Sequence, residues 1–163
     1  MLTMIYKIKA NPNYISSLLG PLALATAKGS NQDVFDLIDY SSKDKTRLVI
    51  DSLILPSFER LTDSTKTEVG RALGYFLYHS NVASEVITEK LLLCEIPPSL
   101  HQEFIKVLWD SLFPEESTKK IAESVSGIVN RPLVMGEFSF SRKADLALDE
   151  LVEKLKKRLS EDC

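Results

Sequence analysis

"TKTEVGRALGYFLYH", residues 65–79, decides what kind of protein this is. Val69, Ala72, Leu73, Phe76 and Leu77 recur at steps of three and four, the signature of an α-helix with one apolar face. Thr65 and Glu68 stand at capping-box spacing, so the helix is expected to open at Thr65. His79 closes it, at the end where the helix dipole favours a charged imidazole. Gly70 and Gly74 lie inside the helix. Each costs it ~1 kcal/mol relative to alanine, which makes sense if another helix approaches closely on that face.

The same periodicity continues outward in both directions. Toward the C-terminus, Asn81 or Ser84 starts a helix that runs to Cys94 through Val86, Ile87 and Leu91, and Pro97-Pro98 ends it. Ser99 and Gln102 make a second box-like start for a stripe of Leu100, Phe104, Ile105, Leu108 and Leu112. Ser117 opens a helix carrying Ile121, Val125 and Ile128. Ser141 is expected to cap the last one, with Leu148, Leu151, Val152, Leu155 and Leu159 inward. Toward the N-terminus, Ser42 caps a helix over 43–55, with Leu48, Val49, Leu53 and Ile54 inward and Pro56 as its stop or kink. Asn31 caps another, over about 32–41, with Val34, Phe35, Leu37 and Ile38 inward.

Two segments have strand character instead. "MLTMIYKIKA" (1–10) alternates, with Met4, Tyr6, Ile8 and Ala10 on one side. "RPLVMGEFSFS" (131–141) brings Val134, Phe138 and Phe140 into alternation around Gly136. Lone strands leave backbone groups unpaired, so residues 2–9 and 133–140 are expected to pair as a small ribbon. The competing reading is an irregular loop whose two phenylalanines plug the core. The fold class is therefore all-α, a bundle of about seven to eight helices with at most that ribbon, in one domain over 1–163. Asn31, Thr65 and Ser99 are evenly spaced helix starts, so stacked helix pairs are the alternative, although the residues themselves do not repeat.

A chain of 163 residues with 44% hydrophobic and 26% charged residues can bury a core without disulfide or metal staples. Its formal net charge of -3 gives no general drive toward nucleic acid or an anionic membrane. Two cysteines are too few for a secreted disulfide framework, so both are read as free thiols in a reducing, cytoplasmic setting, with Cys94 a small core residue. "YISSLLGPLALATAKG" (14–29) has the outline of a signal peptide, but Ser16, Ser17, Gly20 and Pro21 interrupt its apolar run. Two short core helices split at Gly20-Pro21 fit it better.

Catalytic motifs are missing. His79 and His101 belong to no zinc pattern, and His101 is expected at the surface or boundary. The six glycines are scattered and form no phosphate loop. No cofactor, metal or catalytic set is expected, and the chain is read as a non-enzyme. The most suggestive feature is acidic: Asp33, Asp36 and Asp39 fall three apart along one expected helix, with Asp44 just beyond. Asp39 would sit near that helix's C-terminal end, where a carboxylate is disfavoured and a basic partner would offset the cost.

In physical type the chain looks like the small acidic helical proteins that bind and block another protein, such as bacterial immunity proteins that neutralise toxic nucleases. That likeness implies a basic protein partner met by Asp33, Asp36, Asp39 and Asp44, with no nucleic acid and no membrane. The alternative is a helical adaptor or regulatory domain that holds a peptide or partner helix in an apolar groove.

Overall fold

In the computed structural model, which describes residues 8–80, 84–141 and 147–161, the chain is all-α with one very small sheet. Strand β1 (Lys9–Ala10) leads into α1 (Asn13–Leu18) and α2 (Gly20–Ala27). These two helices divide at Gly20-Pro21 as expected. Ile15, Leu19, Leu22 and Ala25 are fully buried, so the signal-like stretch builds core. A 3-10 turn (Gly29–Asn31) then runs into α3 (Gln32–Phe35).

Ser42 caps α4 (Lys43–Val49) by accepting from the Lys45 amide. The helical path then widens into a π-turn (Ile50–Ile54) before α5 (Leu55–Glu59), and the Leu55 amide reaches back to the Ile50 carbonyl. Pro56 is the cause. It has no N–H for the Ser52 carbonyl and its ring crowds that carbonyl, so one wide turn lets the helix continue where a stop was equally open from sequence.

Helix α6 (Asp63–Tyr78) is the stretch on which the all-α reading rests. Val69, Ala72, Leu73 and Phe76 are fully buried. Its cap differs from expectation: Thr62 is the N-cap and accepts from the Thr65 amide, while Glu68 pairs with Arg71 instead of closing a box. Thr65 lies inside the first turn, fully buried, and its hydroxyl is spent on tertiary contacts.

Helix α7 (Glu85–Leu93) is followed by a 3-10 turn (Pro98–Leu100) and α8 (His101–Leu112). His101 is 5% exposed, not a surface residue, and its Nε2 lies 2.8 Å from the Ile96 carbonyl. Standing in the first turn, the ring reaches the preceding connection, where a carbonyl outside any helix needs a partner. Ser117 caps α9 (Thr118–Ser124), which is shorter than its apolar pattern suggested. Val125 is already extended, and Gly127–Ile128 forms β2. The last helix, α10 (Leu148–Glu161), buries Leu151, Val152, Leu155 and Leu159. The start expected at Ser141 falls next to residues outside the described set.

One apolar cluster joins buried side chains from Ala10 to Leu159. Within it α6 packs on α9, α1 and α8, while α10 packs on α4, the π-turn and α2. The even spacing of Asn31, Thr65 and Ser99, which had left stacked helix pairs as the alternative, does not organise this packing: Asn31 belongs to a 3-10 turn, Thr65 is inside a helix and Ser99 is in another 3-10 turn. The arrangement is an irregular bundle.

The ribbon forms with a different partner. Lys9 pairs with Gly127 and Ala10 with Ile128, in parallel, and the Ser126 and Val129 amides donate to the carbonyls of Ile8 and Ala10. Residues 2–7 of the expected strand lie outside the described residues. Among the described residues, the 133–140 segment is a loop that bridges to the start of α6 and not to residues 8–10, although the Tyr14 hydroxyl of α1 donates to Glu137. Phe140 forms an antiparallel bridge with Leu61, and the Thr62 amide donates to the Ser139 carbonyl at 2.9 Å. Leu133 and Phe138 pack partly on the core; Phe140 is half exposed, with its ring edge-on to that of Phe138. The loop is held by polar contacts. Thr65 Oγ1 accepts from the Ser139 amide and donates to the Glu137 carbonyl, and Asn11 Nδ2 donates to the Arg131 carbonyl.

Arg131 and Glu137 clamp the tip of this loop with two guanidinium–carboxylate hydrogen bonds. Glu137 also accepts from the Val134 amide. The Arg131 hydrogen bond, followed by that amide, holds the Glu137 carboxyl down to about 2 from its ordinary 4.5. A depressed carboxyl stabilises the paired loop above its ordinary pKa, and the contribution is lost as pH falls through the folded value. The Val134 amide resonance is therefore expected to titrate with a midpoint near 2, and the loop to loosen over the window from about 4.5 down to 2. A midpoint near 4.5 would show that the clamp does not form in solution.

Candidate binding surface

The four aspartates singled out above do not share a helix edge. Helix α3 ends at Phe35, with Asp36 as its C-cap, so only Asp33 lies on it. Asp36 accepts from Gln32 Nε2 at 2.7 Å. Asp39 stands in the following turn, where its Oδ1 accepts from both the amide and the hydroxyl of Ser41. Those bonds hold its carboxyl below the usual range, with Lys45 adding to the effect. Asp44 sits in the first turn of α4, the end of a helix where a carboxylate is favoured. The misfit expected for Asp39 thus disappears. The chain leaves the helix before reaching it, because Asp39 can hydrogen-bond its own backbone two residues on.

What the four share is exposure. All are exposed, and among the described residues none makes an ion pair. Leu37, expected to be inward, is 55% exposed in their midst because the helix that would have turned it inward has ended. The Leu37 carbonyl accepts from Lys45 Nζ at 3.4 Å. This acidic segment carries an apolar side chain at its centre, unlike an ordinary solvated helix face.

The segment borders a cleft of about 180 Å³ against the α7–α8 connection. Ile38, Asp39 and Tyr40 form one wall, Cys94, Glu95 and Pro97 the other. The second wall depends on how α7 ends. The Glu95 amide donates to the Leu92 carbonyl and the Ile96 amide to that of Leu91, the paired bonds of a Schellman stop. Glycine is usual at the left-handed position of this motif, yet Glu95 occupies it with φ 58°. A side chain there costs about 1–2 kcal/mol. The carboxylate is exposed as a result, while Cys94 beside it is fully buried.

Burial pushes the Cys94 thiol up to about 12, the opposite of what a thiolate nucleophile requires. Tyr40 is held with its ring edge-on to Phe104, and its hydroxyl is buried with no hydrogen-bond partner among the described residues. Burial foremost, then Cys94 and Glu95, raises its pKa. Sequence reasoning missed Tyr40 and Glu95. The Glu95 position had a signal, an acidic residue where "KLLLCEIPP" (90–98) would suit glycine after its helix; Tyr40 had none.

His79 closes α6 and packs its ring on those of Tyr75 and Tyr78. Among the described residues no three His, Cys, Asp or Glu side chains gather in a set that could hold a metal ion. No described helix is long and apolar enough to cross a membrane. No protein-family model, curated protein or solved structure matches the chain.

Proposed function

We propose that this chain is a non-enzymatic protein-binding domain of the inhibitor or immunity type, acting by direct contact with a basic protein such as a nuclease toxin. The carrying observation is the exposed set Asp33, Asp36, Asp39 and Asp44, which makes no ion pair among the described residues, around exposed Leu37. Opposite charges across an interface mainly accelerate encounter, and the effect falls with salt. An apolar anchor among them supplies contact area that charge alone does not.

The test begins with the tagged chain isolated from its native host at low salt and the mass of what accompanies it. Changing all four aspartates to asparagine keeps their shape, and asparagine keeps the Ser41 bonds of residue 39. The variant is expected to fold normally, to associate more slowly with that partner and to lose much of the salt dependence of the on-rate. Unchanged rate and affinity would overturn the reading. The contact surface would then be sought on the exposed side chains of the 133–140 loop, Val134, Met135 and Phe140, which suit the adaptor alternative.

A further inference from the structure

Tyr40 is turned the wrong way for a tyrosine at a boundary. The residue as a whole is half-buried, yet its hydroxyl has no accessible surface and no hydrogen-bond partner among the described residues. A boundary tyrosine normally keeps its polar tip in water and its apolar body inside. Here the tip faces inward, where no water reaches it, and a polar group so placed carries its full desolvation cost. The surroundings leave room for the other arrangement. Tyr40 and Leu100 line two spaces at once. One is the 180 Å³ cleft, shared with Cys94 and Glu95; the other is a cavity of about 70 Å³, bordered by Ser41, Lys43 and Glu103.

The backbone of Tyr40, in contrast, is pinned. Its carbonyl accepts from the buried Thr46 hydroxyl at 3.2 Å, the Ser42 amide donates to the Asp39 carbonyl at 2.9 Å, and Asp39 Oδ1 accepts from the Ser41 amide. What is free to move is the side chain alone.

We propose that Tyr40 is a two-position gate between these spaces, closed with its hydroxyl inward and open when the phenol turns to set that hydroxyl in water on the side of the smaller cavity. Closing gains ring burial and the edge-on contact with Phe104, but leaves the hydroxyl unsatisfied, so the two positions are close in free energy. Opening joins the two spaces and uncovers Cys94, which lines the cleft, is fully buried in the closed position, and is the titratable group that acts most strongly on the Tyr40 hydroxyl. The gate does not depend on the inhibitor reading.

Cys94 is the reporter. With Cys163 changed to serine it is the sole thiol, and its alkylation by iodoacetamide is followed by intact mass. The rate is expected to be independent of low urea concentrations, the mark of a local opening, since global unfolding accelerates steeply with denaturant. Tyr40→Phe keeps the ring and deletes the orphaned hydroxyl. It should melt no lower than the parent and slow the urea-independent alkylation by about tenfold, because only the closed position gains. Tyr40→Ala removes the gate and should accelerate that alkylation by about tenfold or more. A rate that rises with urea from the outset, an unchanged rate or a lower melting temperature in Tyr40→Phe, or no acceleration in Tyr40→Ala would each overturn the proposal.

Discussion

Leu155→Ala is expected to destabilise the fold by about 2–5 kcal/mol, the range for emptying a leucine-sized space in a core. Leu155 is fully buried on α10, a helix whose other faces are charged. That helix rests on α4, the π-turn and α2 through four buried side chains, so each carries a large share of its attachment. Its polar ties are weak by comparison. Lys28 and Asp149 meet at 2.7 Å, but their side chains are 50% and 72% exposed. Such pairs contribute about 0–1 kcal/mol. Asp149→Asn should therefore shift the denaturation midpoint little where Leu155→Ala shifts it strongly. A small effect of Leu155→Ala on global unfolding, with rapid amide exchange confined to α10, would show that the helix docks as a separate unit.

Gly74→Val is expected to cost about 3 kcal/mol, the upper end of overpacking. A Cβ at Gly74 would stand 2.8 Å from Ile121 Cγ2, 3.1 Å from Ile121 Cβ and 3.4 Å from Trp109 Cη2. The Ile121 Cβ is fixed to the backbone of α9, so turning its side chain cannot clear the space; α9 must move off α6. Gly70 is the internal control. Its Cβ would meet only the edge of the Phe113 ring, at 3.2 Å, which can give by a few tenths of an ångström. Alanine at position 70 also gains up to ~1 kcal/mol in helix propensity, so Gly70→Ala should lie within about 1 kcal/mol of the parent. Equal and small effects at both positions would mean that α9 is not seated on the Gly74 face.

These two glycines also mark how far the sequence reached. Two helix-breaking residues four apart in a strong helical pattern implied a close approach on that face; at Gly74 the α6–α9 contact is that approach, while Gly70 faces the Phe113 ring. The core was legible in the same way. Val69, Leu73 and Phe76, or Leu151, Leu155 and Leu159, announce their burial by their period alone, because an apolar stripe has nowhere to go but inward. Helix ends were less legible. Thr65 and Glu68 satisfied the spacing of a capping box, yet Thr62 three residues earlier offered the same chemistry, and the loop carrying Ser139 settled the competition by claiming the Thr65 hydroxyl. In the 32–41 stretch the apolar period continued through Leu37 and Ile38, but the local bonds of Asp39 to Ser41 stand where further helical turns were expected.

Local period, capping chemistry and proline placement therefore determined that this chain is helical, where most of its helices lie and which side chains fill its core. They act over a turn or two of chain and need no knowledge of distant residues. Pairing across the molecule was decided only in three dimensions. The 8–10 segment found Gly127 and Ile128 because α9 ends early and releases an extended strand beside it; the phenylalanine-bearing loop met α6 because Thr62 and Thr65 offered hydrogen-bond partners. The cleft was decided there too. Asp39 and Glu95 lie far apart in sequence, and no local rule makes both of them line one cleft. Long-range contacts of this kind depend on which surfaces remain unsatisfied after the helices have formed, a property of the assembled fold and not of any single segment.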